Sequence, residues 1–207
     1  MKVVIFGATG RVGQELVTYL LQNHHTVFSF VRSPDKVKSG GPNLNVIAGD
    51  IFNPESLSSF EMNNFDALIN VIGADPLKSS TIVTESARVL TALAESKGIL
   101  RYLGITGIAE MPKTFLGKIV TGILRRTPVG NAIKDHDGAI SIVRSSKLEW
   151  MLVGCPYIVD GETKGQFKRN KVFPGGFRTI HPGDVAKALL EELEAPSGKN
   201  EIVGIWY

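Results

Sequence analysis

An apolar strand that runs directly into three glycines spaced three apart constrains this chain more than any other feature. The opening reads Met1-Lys2-Val3-Val4-Ile5-Phe6-Gly7-Ala8-Thr9-Gly10-Arg11-Val12-Gly13. A helical pattern follows at once, with Val12, Leu16, Val17, Leu20 and Leu21 on one face. Strand, glycine turn and helix N-terminus together form a cradle for a pyrophosphate. Gly7 permits the tight turn, Gly10 lets backbone approach the phosphates, and Gly13 lets the helix pack close to the strand. Ala8, Thr9, Arg11 and Val12 complete the loop, and the first-turn N–H groups and the helix dipole face the negative charge. The spacing is Gly-x-x-Gly-x-x-Gly rather than Gly-x-Gly-x-x-Gly, so the strand–turn–helix context carries the reading. An ordinary βα turn is the alternative.

Composition narrows the class. At 207 residues, 43% hydrophobic and 21% charged, the chain suits one globular domain spanning 1–207. A net charge of +3 is too mild for a nucleic-acid binder and suits an anionic ligand equally well. Cys155 is the only cysteine, which excludes an intramolecular disulfide and a multi-cysteine metal site; no metal is expected. No signal peptide precedes the first strand and no apolar run approaches the ~20 residues of a membrane span. These observations lead to the expectation of a soluble, cytoplasmic protein.

Strand-like and helix-like segments alternate along the chain. Strands are expected at Thr26–Val31, Leu44–Ala48, Ala67–Val71, Arg101–Thr106, Leu148–Val153 and Glu201–Ile205. Less regular ones are expected near Gly165–Phe173 and Arg178–Ile180. Helices are expected at Pro54–Phe60, Ser79–Lys97, 131–146 and Pro182–Leu193. Repeated βα units predict a Rossmann-like α/β fold, a doubly wound parallel sheet with helices on both faces and right-handed crossovers. A small C-terminal extension on the substrate side completes it, with 110–131 and 155–180 as acceptor-side loops. The ligand belongs outside the strands' carboxyl ends, where strand order reverses.

The end of the second strand bears on which dinucleotide is held. An acid there would hold a ribose 2′-hydroxyl, whereas a cation would accept a 2′-phosphate. The strand ends Phe30-Val31-Arg32-Ser33, with no acid until Asp35. Arg32 has the planar fork that suits phosphate, and Arg11 offers a second positive charge. NADP(H) is therefore preferred over NAD(H). The alternatives are a solvated charge for Arg32 and an exposed first-turn residue for Arg11. Asp50 could accept from an adenine amino group with Ile51 packed on the ring, or cap the short helix beginning at Pro54. Val71 and Gly73 would pass along the nicotinamide ribose, or form a plain strand-end turn.

With these residues in place, the chain resembles the atypical short-chain dehydrogenase/reductases, and within them the small single-domain flavin reductases of the biliverdin reductase B and NADH-flavin reductase type. The likeness rests on Val4-Ile5-Phe6-Gly7-Ala8-Thr9-Gly10-x-x-Gly13, Val31-Arg32-Ser33, Gly49-Asp50-Ile51 and Thr84-Glu85-Ser86-Ala87-Arg88. It continues in Val143–Trp150, Pro156-Tyr157-Ile158 and Ile180-His181-Pro182-Gly183-Asp184-Val185-Ala186. It spans nearly the whole chain apart from roughly 110–131.

Departures from that group bear on mechanism. Many short-chain reductases carry Tyr-x-x-x-Lys, in which lysine lowers the tyrosine pKa for proton donation. Here Tyr19, Tyr102, Tyr157 and Tyr207 all lack a lysine four positions on. The usual serine after the fifth strand is missing from Gly104-Ile105-Thr106-Gly107, and a Lys-x-x-x-Glu pair on the next helix reads His136 and Ile140. Ordinary carbonyl reduction loses its proton donor. Hydride transfer to a planar, electron-poor acceptor such as a flavin or quinone demands less, because the ring takes a proton from water and proximity supplies most of the catalysis. The resemblance thus implies an NADPH-dependent oxidoreductase. A non-catalytic NADP(H)-binding redox sensor is the alternative.

The candidate catalytic groups are Thr106, His136 and Tyr157. Thr106 could bond the ribose or polarise an acceptor, or be a buried threonine bonded to backbone. His136 could donate a proton or orient the cofactor, though an exposed helix histidine is the plainer reading. Pro156 and Tyr157 resemble the group's loop over the nicotinamide, with simple packing as the alternative. Asp184 is expected to cap or staple the last helix, His24 and His25 to be solvated, and Cys155 to be a buried small residue. Between Lys113 and Arg126, Phe115, Leu116, Ile119, Val120, Ile123 and Leu124 form an apolar stripe. It fits a lid, a partner-binding helix or a peripheral membrane contact, with core packing of a substrate-loop helix as the default.

Overall fold

The computed structural model of the chain describes residues 1–58, 60–61, 63–74, 80–112 and 114–207, with only the backbone at 110 and 116. Strand β1 (Lys2–Phe6) is the hub. Its side chains alternate, Val3 and Ile5 toward one face and Val4 and Phe6 toward the other, and all four are fully buried. A strand covered on both sides requires this pattern. β2 (Thr26–Val31) and β4 (Ala67–Asn70) flank β1 in parallel, and β3 (Leu44–Ala48) extends the sheet beyond β2. β5 (Arg101–Gly107), β6 (Glu149–Cys155) and β10 (Glu201–Trp206) continue it in parallel beyond β4. Strand order reverses between β1 and β4.

Two helix pairs cover the faces. α1 (Arg11–Gln22) and α6 (Pro182–Glu194) set Leu16, Leu20, Val185 and Leu189 against Val3, Ile5 and Ile69. α3 (Ile82–Ser96) and α5 (Val129–Ser145) set Ala87, Leu90, Ile140 and Val143 against Val4, Phe6 and Leu68. A short α2 (Pro54–Ser58) follows β3. α5 is riveted to α3: the buried Asp135 carboxylate accepts from the N–H of Val83 at 3.1 Å and of Thr84 at 2.8 Å, the start of α3. The Thr84 hydroxyl donates back to the Asp135 carbonyl at 2.7 Å, and a Cβ on Gly138 would lie 2.5 Å from that hydroxyl.

The expected doubly wound sheet is present, with departures at its margin. β8 (Lys168–Asn170) joins the far edge antiparallel to β10. Its three residues are all exposed, so no alternating apolar signal marks it; edge strands tolerate such polar sequence. β9 (Thr179–Ile180) lies outside the main sheet and pairs with β7 (Tyr157–Ile158). Residues 110–131 are mostly not a loop, since they contain helix α4 (Phe115–Leu124) and the start of α5. Core packing of the α4 stripe is overturned: Phe115, Ile119, Ile123 and Leu124 are all exposed. Ser79 and Lys113, where the sequence starts the third helix and the apolar stripe, lie outside the described residues, as does the Leu116 side chain. No helix among the described residues is long and apolar enough to cross a membrane.

Two further expectations are corrected. His25 is buried rather than solvated, because α6 packs beside α1 and brings Glu194 over the turn. Its Nε2 lies 2.9 Å from Glu194 and its Nδ1 3.2 Å from the Met1 amino group. Asp184 does not cap its own helix. Its carboxylate accepts from the N–H of Lys164 at 2.9 Å, the N–H of Gly165 at 2.8 Å and the Tyr207 hydroxyl, tying a loop and the last residue to α6.

Candidate dinucleotide and acceptor site

The loop between β1 and α1 has the shape its glycines demand. Gly7 adopts φ +92°, and a Cβ there would lie 2.7 Å from the carbonyl carbon of Val71 at the end of β4. A Cβ on Gly13 would sit 2.2 Å from the Gly7 oxygen, so only glycine allows α1 this close to the strand. Gly10 caps α1 without any side-chain hydrogen bond, and the first intrahelical bond runs from Gln14 N–H to the Gly10 carbonyl at 3.0 Å. The N–H groups of Arg11, Val12 and Gly13 precede that bond and point to the loop, as an anion cradle requires.

A cleft of about 180 Å³ runs along this loop, lined by Gly7, Thr9, Gly10, Arg32, Asp50, Ile51, Val71 and Gly73 among others. Arg32 is exposed at the end of β2 and, among the described residues, has no ion pair. Asp50 does not cap the short helix. Its carboxylate accepts from Phe52 N–H at 3.0 Å, and Asn53 performs the capping by accepting from Glu55 N–H at 2.9 Å. Ile51 is buried, and so is Ala8 inside the loop. A Cβ on Gly73 would meet nothing within 4 Å, so packing does not demand a glycine there; the space in front of it is open.

A larger hollow of about 560 Å³ shares Gly10, Val71, Ile72 and Gly73 with the cleft. Arg11 and Val12 line it, together with Thr106, His136, Cys155, Pro156 and Tyr157. The Arg11 guanidinium is thus placed away from Arg32. It pairs with Asp160 at 2.8 Å and donates to the Ile158 carbonyl at 3.3 Å, because the β7 loop passes over the start of α1. Tyr157 is 57% exposed at the rim. Burial pushes the Cys155 thiol well up from its ordinary range, which leaves it an inert wall residue.

Four buried polar atoms on this hollow have no hydrogen-bond partner among the described residues: Thr106 Oγ1, His136 Nδ1, Asp137 Oδ1 and Arg178 Nε. Leaving one such group unpaired costs about 1–3 kcal/mol, and most buried groups in folded proteins are paired. Four lining one hollow mark a place that a ligand's polar edge completes. Thr106 is therefore not bonded to backbone, and His136 is not an exposed helix histidine. His136 packs over Gly107, its Cδ2 lying 3.9 Å from where a Cβ would stand, and it lines the same hollow as Thr106. Burial lowers the His136 pKa, against the opposing pull of Asp135 and Asp137. The imidazole is neutral at pH 7.

A family model described as NAD(P)H-binding matches residues 7–196, nearly the whole of this architecture. The chain belongs to that NAD(P)H-binding family. The Bacillus subtilis (strain 168) protein YwnB is 26% identical over 213 residues, covering 97% of this chain and 96% of its own. A candidate NADH-flavin reductase from Streptococcus pneumoniae TIGR4 superposes with a TM-score of 0.77 at 23% identity, covering 100% of this chain and 99% of the other. A wide-type short-chain dehydrogenase/reductase from Veillonella parvula DSM 2008, solved with NADP, gives 0.74 at 17% identity, over 99% and 93%. This NAD(P)H-binding protein thus shares the short-chain dehydrogenase/reductase fold.

Sequence reasoning missed Asp137, Phe177 and Arg178. Asp137 lines the hollow, with one oxygen accepting from Arg125 at 2.7 Å and the other buried without a partner among the described residues. Arg178 follows a Gly-Gly-Phe turn, with no periodicity to mark it. Only the tertiary fold brings it to the site.

Proposed function

We propose that the protein is an NADPH-dependent oxidoreductase that transfers hydride to a planar conjugated acceptor, a flavin or a quinone, held in the larger hollow. The observation that carries this reading is the group of four unpartnered buried polar atoms on an otherwise mostly apolar hollow that shares its wall with the glycine loop. Volume agrees, since small-molecule sites commonly run to about 300–1,000 Å³. The loop fits a dinucleotide because its helix N-terminus is uncapped and the space before Gly73 is open. Arg32, with its guanidinium unengaged, supports the extra phosphate of NADP(H).

The bound dinucleotide supplies the hydride. The protein's part is positional. Val71, Ile72 and Gly73 form the wall shared by the two cavities and would hold the nicotinamide end, and the Thr106 hydroxyl would be free to donate to its ribose or to an acceptor oxygen. Neutral His136 orients a polar edge through Nδ1 but does not act as a cationic acid at neutral pH. Tyr157 offers a ring face at the rim. With no Tyr-x-x-x-Lys pair in the sequence, the acceptor takes its proton from water, and the walls supply proximity and exclude competing reactions.

The test is to follow NADPH absorbance with FMN, FAD and small quinones in turn. Saturable oxidation with at least one of them is expected. Tight NADPH binding without oxidation under any acceptor would make the protein a redox sensor instead. Failure to bind either pyridine dinucleotide would end both readings.

A further inference from the structure

Helix α4 turns one face to the larger hollow and, among the described residues, leaves another exposed. Val120, Thr121 and Leu124 form part of the wall of the larger hollow. Phe115 is 80% exposed, Ile119 46% and Ile123 59%. These three follow i, i+4, i+8 spacing and so form one outward ridge. The ridge is held in place. The Thr114 hydroxyl donates to the Pro174 carbonyl at 2.9 Å, and a Cβ on Gly175 would lie 3.3 Å from the Gly117 nitrogen, so α4 and the 173–177 loop are packed against each other. That loop carries Phe177, 85% exposed, at the rim of the same hollow. Single exposed apolar residues are ordinary; a ridge of them beside a ligand opening is an interaction surface.

Charge identifies what the surface meets. Residues 111–134 hold five basic side chains, Lys113, Lys118, Arg125, Arg126 and Lys134, and no Asp or Glu. With 23 basic and 20 acidic residues in the whole chain, the remainder is slightly acidic, so the chain's positive excess belongs to this one stretch. Lys118 is exposed on α4 beside the ridge, and Arg126 is exposed just past the end of the helix. A second copy of the chain suits this face poorly, because a two-fold interface would lay the cations against themselves. Arg125 is already paired with Asp137, which leaves Lys118 and Arg126 as the described cations next to the ridge, and an apolar ridge with Phe and Ile at its crest beside such cations is the pattern of a helix lying in a bilayer interface.

We infer that α4 and Phe177 dock the protein onto an anionic phospholipid surface, with the opening of the larger hollow toward the lipid. The apolar ridge enters the headgroup boundary and Lys118 and Arg126 lie among the phosphates. This inference is independent of the hydride reading, since it concerns a surface and not the reaction.

The experiment is sedimentation of the full-length protein with vesicles of phosphatidylcholine alone and of phosphatidylcholine with phosphatidylglycerol, at low and high salt. Binding to the anionic vesicles that weakens with salt and is much poorer on neutral ones is expected. The triple variant Phe115→Ser, Ile119→Ser, Ile123→Ser should lower partitioning by about a hundredfold. Lys118→Gln alone should lower it about fivefold, through loss of a single cation near the surface. Circular dichroism and NADPH binding of each variant serve as the folding control, because these side chains point away from both cavities. Equal binding to neutral and anionic vesicles, or no binding at all, overturns the inference. So does a concentration-dependent dimer that the triple variant dissociates, which would assign the ridge to a second copy.

Discussion

Replacing Arg32 by alanine tests cofactor selection directly, and the structure sets the size of the effect. The guanidinium stands exposed at the end of β2, on the cleft that runs along the glycine loop, and makes no ion pair among the described residues. It therefore holds nothing in the fold together, and removing it should change stability by no more than about 0.5 kcal/mol. Against a ribose 2′-phosphate it can form charge-assisted hydrogen bonds worth about 1.5–3 kcal/mol in total. At about 1.4 kcal/mol per decade, R32A should weaken NADPH binding roughly ten- to hundredfold. NADH has no 2′-phosphate, so its affinity should stay within about twofold of the wild type. Arg32→Glu replaces attraction by repulsion, and even in fully solvated geometry that is about 1 kcal/mol more, a further fivefold. Because the contact is solvated, the preference for NADPH should itself shrink as salt rises. The assay is titration calorimetry of both dinucleotides with wild type, R32A and R32E, with thermal unfolding alongside. Equal losses for NADPH and NADH, or no loss for either, would refute the assignment of this guanidinium to the phosphate.

Three other expectations follow from the same geometry. Gly13→Ala would drive a Cβ to 2.2 Å from the Gly7 oxygen, a backbone atom. A loss of about 3 kcal/mol is expected, a fall in Tm of roughly 6–12 °C in differential scanning calorimetry, together with loss of dinucleotide binding. Thr106→Val keeps the shape and removes an unpartnered hydroxyl, so stability should hold or rise by about 1 kcal/mol in urea titrations while turnover falls at least tenfold. The folded pKa of His136 lies below its unfolded value of 6.5. Its contribution is thus fully present above pH 6.5 and is lost as pH falls, because the unfolded chain then binds the extra proton. His136→Gln should flatten that acid limb in urea titrations between pH 7 and 5, and an unchanged slope would contradict the burial of the ring.

Much of the fold was legible because its signals are local. β1 declares itself by an unbroken apolar run rich in β-branched residues, the loop by three glycines, and α1 by its periodic apolar face. The glycine roles assigned from spacing agree with the contacts: Gly7 needs its positive φ and Gly13 its close approach. The rest depends on distant parts of the chain meeting. Whether Thr106 would find a partner depended on what β6 and α5 offer at the end of β5, and they offer none to its hydroxyl. His136 looks exposed in sequence because Asp135 and Asp137 flank it. Asp135, however, turns inward to cap a helix 52 positions away, and that rotation carries His136 over Gly107. Arg11 followed the phosphate reading from sequence alone, but the β7 loop presents Asp160 to it from 149 positions downstream. β8 falls inside the less regular strand expected near Gly165–Phe173, and it carries no alternation because, at an open edge, polar side chains carry no cost.

The Asp135 rivet gives the acceptor cavity two unlike banks. On the α5 bank, two carboxylate bonds and a glycine-close helix crossing leave no slack, so the histidine there cannot be shifted without undoing the start of α3. On the opposite bank, α4 and the 173–177 loop are joined by the Thr114 hydroxyl and a close backbone approach and anchored by buried Phe173 against Trp206 and by Arg125 on Asp137, while Phe115, Ile119, Ile123 and Phe177 stand in the open. A molecule entering this space would be registered against the first bank and accommodated by the second. Redesign for a bulkier guest should therefore begin at Val120, Thr121 and Leu124, and leave residues 135–138 untouched.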